Sequence, residues 1–131
     1  MAKLFVYGSL MNDEVLRALL HRRLAQQQAT LNDYRRVKVM GEQYPAIYPD
    51  TNNLVEGKLI THILPKQLAC LDEFEGGYYQ RALVVVFTED NKEHQCDAYI
   101  FKNEYRHLLS DDDWCNTHFR THHMASFLKY C

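Results

Sequence analysis

The apolar run Leu4-Phe5-Val6-Tyr7 stops at Gly8-Ser9, and helical spacing begins a few residues later with Val15, Leu16, Leu19 and Leu20. A short apolar, aromatic-rich run ended by glycine reads as a buried strand that breaks sharply. Asn12 is placed to cap the helix that follows, with Asp13 and Glu14 in its first turn, where the dipole favours negative charge. A strand that turns through glycine into a helix N-terminus presents free backbone N–H groups. Such a place binds anions, including a substrate carboxylate. Gly8 allows close backbone approach, and Ser9 offers a hydroxyl or a cap. There is no GxGxxG or GxxxxGKS/T, so neither a dinucleotide nor a nucleoside triphosphate is implied. Nor is there the GxSxG of a nucleophile elbow. An ordinary turn with a capping serine fits the same residues.

Downstream, a polar stretch around Gln26-Gln27-Gln28 leads into Tyr34 to Met40, which alternates as a strand. Tyr44-Pro45-Ala46-Ile47-Tyr48-Pro49-Asp50 carries two prolines and predicts a turn-rich or edge segment. Leu54 to Thr61 alternates around Gly57, which signals a bulge or a close backbone approach. Pro65 opens a helix that runs to Glu75 and is stopped by Gly76-Gly77. Tyr79 to Thr88 and Gln95 to Lys102 read as a hairpin. Ser110-Asp111-Asp112-Asp113 predicts the cap of a C-terminal helix from about residue 111, through Trp114 and Phe119 towards Phe127 and Leu128. The order β-α-β-β-α-β-β-α favours an α+β fold over a doubly wound one. With 131 residues, 47% of them hydrophobic, the chain supports one core and a single domain over residues 1–131.

The net charge of −2 comes from 15 basic and 17 acidic residues interleaved along the chain, which disfavours nucleic acid and anionic membranes as partners. No run approaches the roughly 18 apolar residues of a membrane span, and the N-terminus lacks the apolar stretch of a signal peptide. Cys70, Cys96, Cys115 and Cys131 are widely spaced, which predicts a reduced, cytoplasmic protein. Nothing in the sequence speaks to oligomeric state.

In the helix ending at Glu75, the apolar stripe is Leu64, Leu68, Leu71 and Phe74, and Glu75 falls inside that arc. Asp72 lies at its edge and Glu73 points away. A carboxylate aimed at the core is costly unless it is paired or protonated, so its pKa should be raised. That suits a general base working near neutrality. Periodicity equally allows Glu75 to fray outward or to pair with Arg81.

Taken together, Phe5-Val6-Tyr7-Gly8-Ser9-Leu10, Tyr44-Pro45-Ala46-Ile47, Val55-Glu56-Gly57 and the segment from Leu71 to Arg81 (LDEFEGGYYQR) resemble the γ-glutamylcyclotransferase-like family. Within it they are similar to the small branch that includes γ-glutamylamine cyclotransferase. The resemblance implies a compact α+β fold around a small mixed β-barrel with flanking helices and a cavity at its mouth. It implies that Tyr7, Gly8, Ser9 and Leu10 line that cavity and hold a ligand through their backbone, and that Glu75 is the catalytic acid/base. The activity implied is closure of a γ-glutamyl amide, amine conjugate or dipeptide to 5-oxoproline, with no metal or cofactor. Tyr79 and Arg81 fall in the matched segment as candidates to orient Glu75 or the substrate, with Tyr44 and Tyr99 as weaker ones. After Leu10 many relatives continue with a basic residue and glycine, whereas Met11-Asn12-Asp13 follows here; that departure bears on the outer substrate pocket.

Two other readings share these residues. A non-catalytic module could hold a small acid or peptide end with Glu75 as a structural group. A hydrolase using Ser9 or a cysteine would need a base partner that the sequence does not supply. Cys115, His118, His122, His123 and Cys131 form a Cys/His-rich tract, but zinc sites usually take tighter ligand pairs from turns, and a solvated helix face is expected instead.

Overall fold

A computed structural model describes residues 2–129. Among the described residues are six strands: β1 (Ala2–Val6), β2 (Gln26–Val39), β3 (Pro45–Ile63), β4 (Tyr79–Thr88), β5 (Glu93–Phe101) and β6 (Leu109–Asp113). Four helices accompany them: α1 (Asp13–Leu20), α2 (Pro65–Glu75), α3 (Asn116–His122) and α4 (Met124–Leu128). The strand order β3-β1-β5-β4-β2-β6, together with pairing of β3 to β2, closes the first five strands into a ring with β6 appended. The ring is mixed: β1 runs parallel to β5 and the other pairs are antiparallel. The α+β single domain built on a small mixed β-barrel is therefore what this chain forms.

Closure leaves β1 buried on both faces, which is why its four-residue apolar run does not alternate with polar residues. Phe5 joins Ala29, Leu31, Val55, Leu59, Val84, Val86 and Ala98, a cluster to which no helix contributes and which fills the barrel. Leu4 and Val6 face the other way, onto Val15 and Leu16 of α1 and Leu71 of α2. Gly57 sits where β3 passes β1. A Cβ there would press into the Val6 carbonyl oxygen and lie 2.8 and 2.9 Å from carbons of the Phe5 ring, so the close backbone approach expected of this glycine is real.

Two local expectations are corrected, and of the turn or edge expected for the proline segment the structure takes the edge. The strand expected from Tyr34 begins at Gln26, because the glutamine-rich stretch pairs with Lys58, Leu59 and Ile60 of β3. The proline-bearing segment 44–50 is mostly strand. Its Pro45–Pro49 portion pairs with β2, while β1 reaches β3 only from Lys58 onward, so the prolines lie where one side of the strand has no ladder to break. A bulge at Asp33 (φ 63°) and Asn52 (φ 70°) separates the two halves of this long hairpin, stitched by Asn52 N–H donating to Asp33 Oδ1 at 3.2 Å.

The C-terminal helix does not start at about residue 111. Ser110 to Asp113 belong to β6, whose Leu109 and Asp113 pair with Val39 and Val37 of β2. The Ser110 hydroxyl donates to the Lys38 carbonyl at 2.8 Å, so the polar residues that resemble a cap instead face solvent on an edge strand. Helix begins at Asn116 and is interrupted at His123. Asn12 does precede α1, with its carbonyl accepting from Val15 and Leu16, yet its side chain turns away to Asn116 and Arg120 of α3.

Candidate active site

A cavity of about 210 Å³ opens at one end of the barrel, between the chain leaving β1 and the last turn of α2. Tyr7, Gly8, Ser9 and Leu10 form one wall, Glu75 and Phe74 another, and Tyr44, Pro45, Tyr79, Tyr99 and Phe127 complete the lining with Phe5 and Val6. The break after β1 is a 3-10 turn over Ser9–Met11, with the Met11 N–H donating to the Gly8 carbonyl at 2.9 Å and the Asn12 N–H to the Ser9 carbonyl at 3.1 Å. The turn thus spends the Gly8 and Ser9 carbonyls internally. Its leading N–H groups, on Gly8, Ser9 and Leu10, have no backbone acceptor among the described residues.

Glu75 enters from the opposite side because α2 buries the stripe of Leu71, Leu68 and Phe74 and ends there, with Gly76 at φ 81° turning the chain outward. Among the described residues its carboxyl has no hydrogen bond or ion pair, and burial pushes its pKa up to about 8. Desolvation without a compensating charge is the cause. The alternative pairing with Arg81 does not occur.

Arg81 lies outside the cavity. Its Nε donates to Asp72 Oδ1 at 3.0 Å, its Nη2 to Asp72 Oδ2 at 3.2 Å and its Nη1 to Asp97 Oδ2 at 3.0 Å. Asp72 also accepts from the Tyr99 hydroxyl at 2.7 Å. Burial acts to raise the Asp72 pKa, but the hydrogen bonds from Arg81 and Tyr99 outweigh it and hold the carboxylate below its ordinary value. Arg81 therefore reaches Glu75 only indirectly, by fastening the last turn of α2 to β4 and β5.

The tyrosines are fixed as phenols. Tyr7 Oη donates to the Tyr99 carbonyl at 2.6 Å and Tyr79 Oη to the Pro45 carbonyl at 2.7 Å. Burial raises both pKa values well above the ordinary one, and the Tyr99 hydroxyl is raised by burial and by its bond to Asp72. Among the described residues of the lining, Glu75 is thus the one acid poised to exchange a proton near neutral pH.

Of the residues singled out in the sequence, Tyr7, Gly8, Ser9, Leu10, Glu75 and Tyr79 meet in this cavity, as do Tyr44 and Tyr99. Pro45, Phe74 and Phe127 were not foreseen as lining. Phe74 shares the helix face of Glu75 and was recoverable from the same periodicity. Phe127 packs edge-on against Phe74, with ring centroids 5.9 Å apart, a contact with no local signal.

The Cys/His tract lies apart from the cavity. The His118 ring is 4.4 Å from His122 and 5.3 Å from His123, on the outer face of α3, and Cys115 is exposed just before it. Among the described residues no group of three or more His, Cys, Asp or Glu side chains is disposed to hold a metal ion. Cys131 lies outside the described residues. No helix among them is long and apolar enough to cross a membrane.

The chain is similar to known proteins in sequence and in fold. The chain is 37% identical to AIG2-like protein D of Arabidopsis thaliana over 98% of this chain and 86% of that protein. It is 39% identical to AIG2-like protein C of the same plant over 77% of this chain and 59% of that one. The fold superposes on the solution structure of an Arabidopsis thaliana protein with a TM-score of 0.75 and 27% identity, covering 98% and 87% of the two chains. A structure described as a gamma-glutamyl cyclotransferase shares the fold with a TM-score of 0.69 and 24% identity, covering 78% and 67%. The family profile "Gamma-glutamyl cyclotransferase, AIG2-like" matches residues 4–116, and the chain belongs to that family.

Proposed function

We propose that the cavity converts a γ-glutamyl amide, amine conjugate or dipeptide into 5-oxoproline and releases the amine or amino acid. The observation that carries this reading is the Glu75 carboxyl, which has no hydrogen bond or ion pair among the described residues and a pKa raised to about 8, sharing a small cavity with the Gly8, Ser9 and Leu10 amides, which have no backbone acceptor among those residues.

In such a substrate the nucleophile is tethered to its target. The α-amine nitrogen bonds to the γ-carbonyl carbon, and the bond from that carbon to the leaving nitrogen breaks. Holding the chain folded replaces an encounter between two molecules and supplies much of the rate. An α-ammonium must first lose a proton, and the departing nitrogen must gain one. Glu75 takes the first and returns the second, so it ends as it began. Negative charge that builds on the γ-oxygen is met by loop amides, donors that need no reorganisation. No residue needs to become covalently attached, and Ser9 serves through its backbone. The reaction draws on no metal or cofactor. The free thiols of Cys70, Cys96 and Cys115 support a reducing, cytoplasmic setting.

The test is to incubate the chain with a panel of γ-glutamyl amines, amides and dipeptides and assay 5-oxoproline, with Glu75→Gln in parallel. Turnover reduced at least about 10²-fold by the substitution is expected. Turnover that the substitution leaves near the wild-type rate sinks the mechanism, and binding without turnover across the panel would make the cavity a capture site for small acids.

A further inference from the structure

Arg36 comes from β2, and no feature of the sequence marked it. Its Nη1 donates to the Tyr7 carbonyl at 2.8 Å and to the Glu56 carbonyl at 3.0 Å, and lies 3.9 Å from Met11 Sδ. The guanidinium carbon stands 5.3 Å from the centre of the Trp114 ring, which covers it from the side of α3. At the other end of the same loop, Lys58 Nζ donates to the Met11 carbonyl at 3.1 Å. Two cations therefore grip the ligand loop by its outward carbonyls.

A trans peptide sets its C=O and N–H on opposite sides of one plane, and no cis bond occurs among the described residues. The unit joining Tyr7 to Gly8 turns its oxygen to Arg36, so the Gly8 N–H points the other way. Arg36 is not part of the cavity wall, whereas Tyr7 and Gly8 are. A cation on the carbonyl also draws electron density through the amide and makes that N–H a stronger donor.

We propose that Arg36 is a positioning residue that aims the Gly8 N–H into the cavity and polarises it as the donor to the γ-oxygen in the transition state. This rests on the cyclotransferase reading of the site. It assigns the anion-holding power of a neutral loop to a charge on the far side of it.

The test uses the full chain with Arg36→Gln and Arg36→Lys, and reads kcat, KM, thermal stability and the amide resonance of Gly8. Glutaric acid monoamide serves as a probe, since it carries the amide and lacks the α-amine needed to close the ring. In Arg36→Gln the Gly8 amide proton moves upfield and responds less to the probe, and kcat falls about tenfold with KM within about twofold; loss of a whole oxyanion donor costs more. Arg36→Lys, which keeps the charge, recovers part of both effects and stands in if the glutamine variant does not fold. A variant that loses thermal stability but keeps the wild-type Gly8 resonance and kcat overturns the proposal. Absence of 5-oxoproline from wild-type protein is a separate failure, of the function; the Gly8 resonance would still report whether Arg36 governs the loop.

Discussion

Gly8 and Pro45 meet across the rim of the cavity so closely that a Cβ on Gly8 would lie 2.9 Å from both Cγ and Cδ of the proline ring. The proline is not free to retreat, because its carbonyl accepts from the Tyr79 hydroxyl. Gly8→Ala should therefore displace the loop or Tyr79 and destabilise the fold by about 1–3 kcal/mol. Substrate binding should weaken as well. Urea unfolding alongside KM measurements checks this, and unchanged KM in the alanine variant would count against the loop as the ligand wall.

Glu75→Gln should remove about 10²–10⁴-fold of turnover, the range of a positioned acid/base, while leaving a folded protein. Its stability should change with pH in a defined direction. In wild type, Glu75 holds a proton in the folded state up to about pH 8, whereas the unfolded chain releases it near the ordinary value of 4.5. The folded state then binds more protons, so this group lowers stability as pH rises from about 4.5 to 8. Glu75→Gln should match wild type near pH 4 and exceed it at pH 8.5, measured by denaturant titration at both values.

The rate profile should carry the same group. Activity at low substrate concentration should rise with pH through about 8, as Glu75 ionises in the free protein. Bound substrate brings an ammonium next to the carboxyl and favours its charged form. The ascending limb of kcat should consequently lie at lower pH than that of kcat/KM. Coincident limbs would show that Glu75 does not face the α-amine.

Arg81→Gln should leave KM unchanged and cost at most about 1 kcal/mol, because the residue is exposed and its pairing with Asp72 and Asp97 is screened by solvent. A large rise in KM would place Arg81 on the substrate after all. Asp72→Asn is the more damaging change, since Asp72 also takes the Tyr99 hydroxyl that lines the cavity.

Gly57→Ala tests the barrel rather than the chemistry. The added methyl meets the Val6 backbone and the Phe5 ring, and backbone in a closed sheet cannot step aside. A loss of about 3 kcal/mol is expected, at the upper end of overpacking, read from the thermal or urea midpoint.

The site was legible where one element carries its own geometry. Helical periodicity left Glu75 to face inward or to fray, and glycine after a buried strand marked a sharp break there; the family resemblance joined the two, and both line the cavity. What escaped was set by partners distant in the chain. Ser110 to Asp113 look like a helix cap until Val37 and Val39 are seen beside them. Pro45 and Pro49 argue against a strand unless one edge is known to be unpaired. Arg36 reads as one more cation in a charged strand, since its importance lies in a carbonyl 29 residues earlier.

Pairing of β1 with β5 joins Leu4 to Asp97 and Phe5 to Ala98, and the Tyr7 hydroxyl reaches the Tyr99 carbonyl 92 residues away. The ring cannot close from its first half. A growing polypeptide that has reached Glu75 holds the loop and the carboxyl but no chamber between them. Contacts of such long sequence separation also make folding slow. The cavity should therefore appear late and all at once, as β5 slots in beside β1.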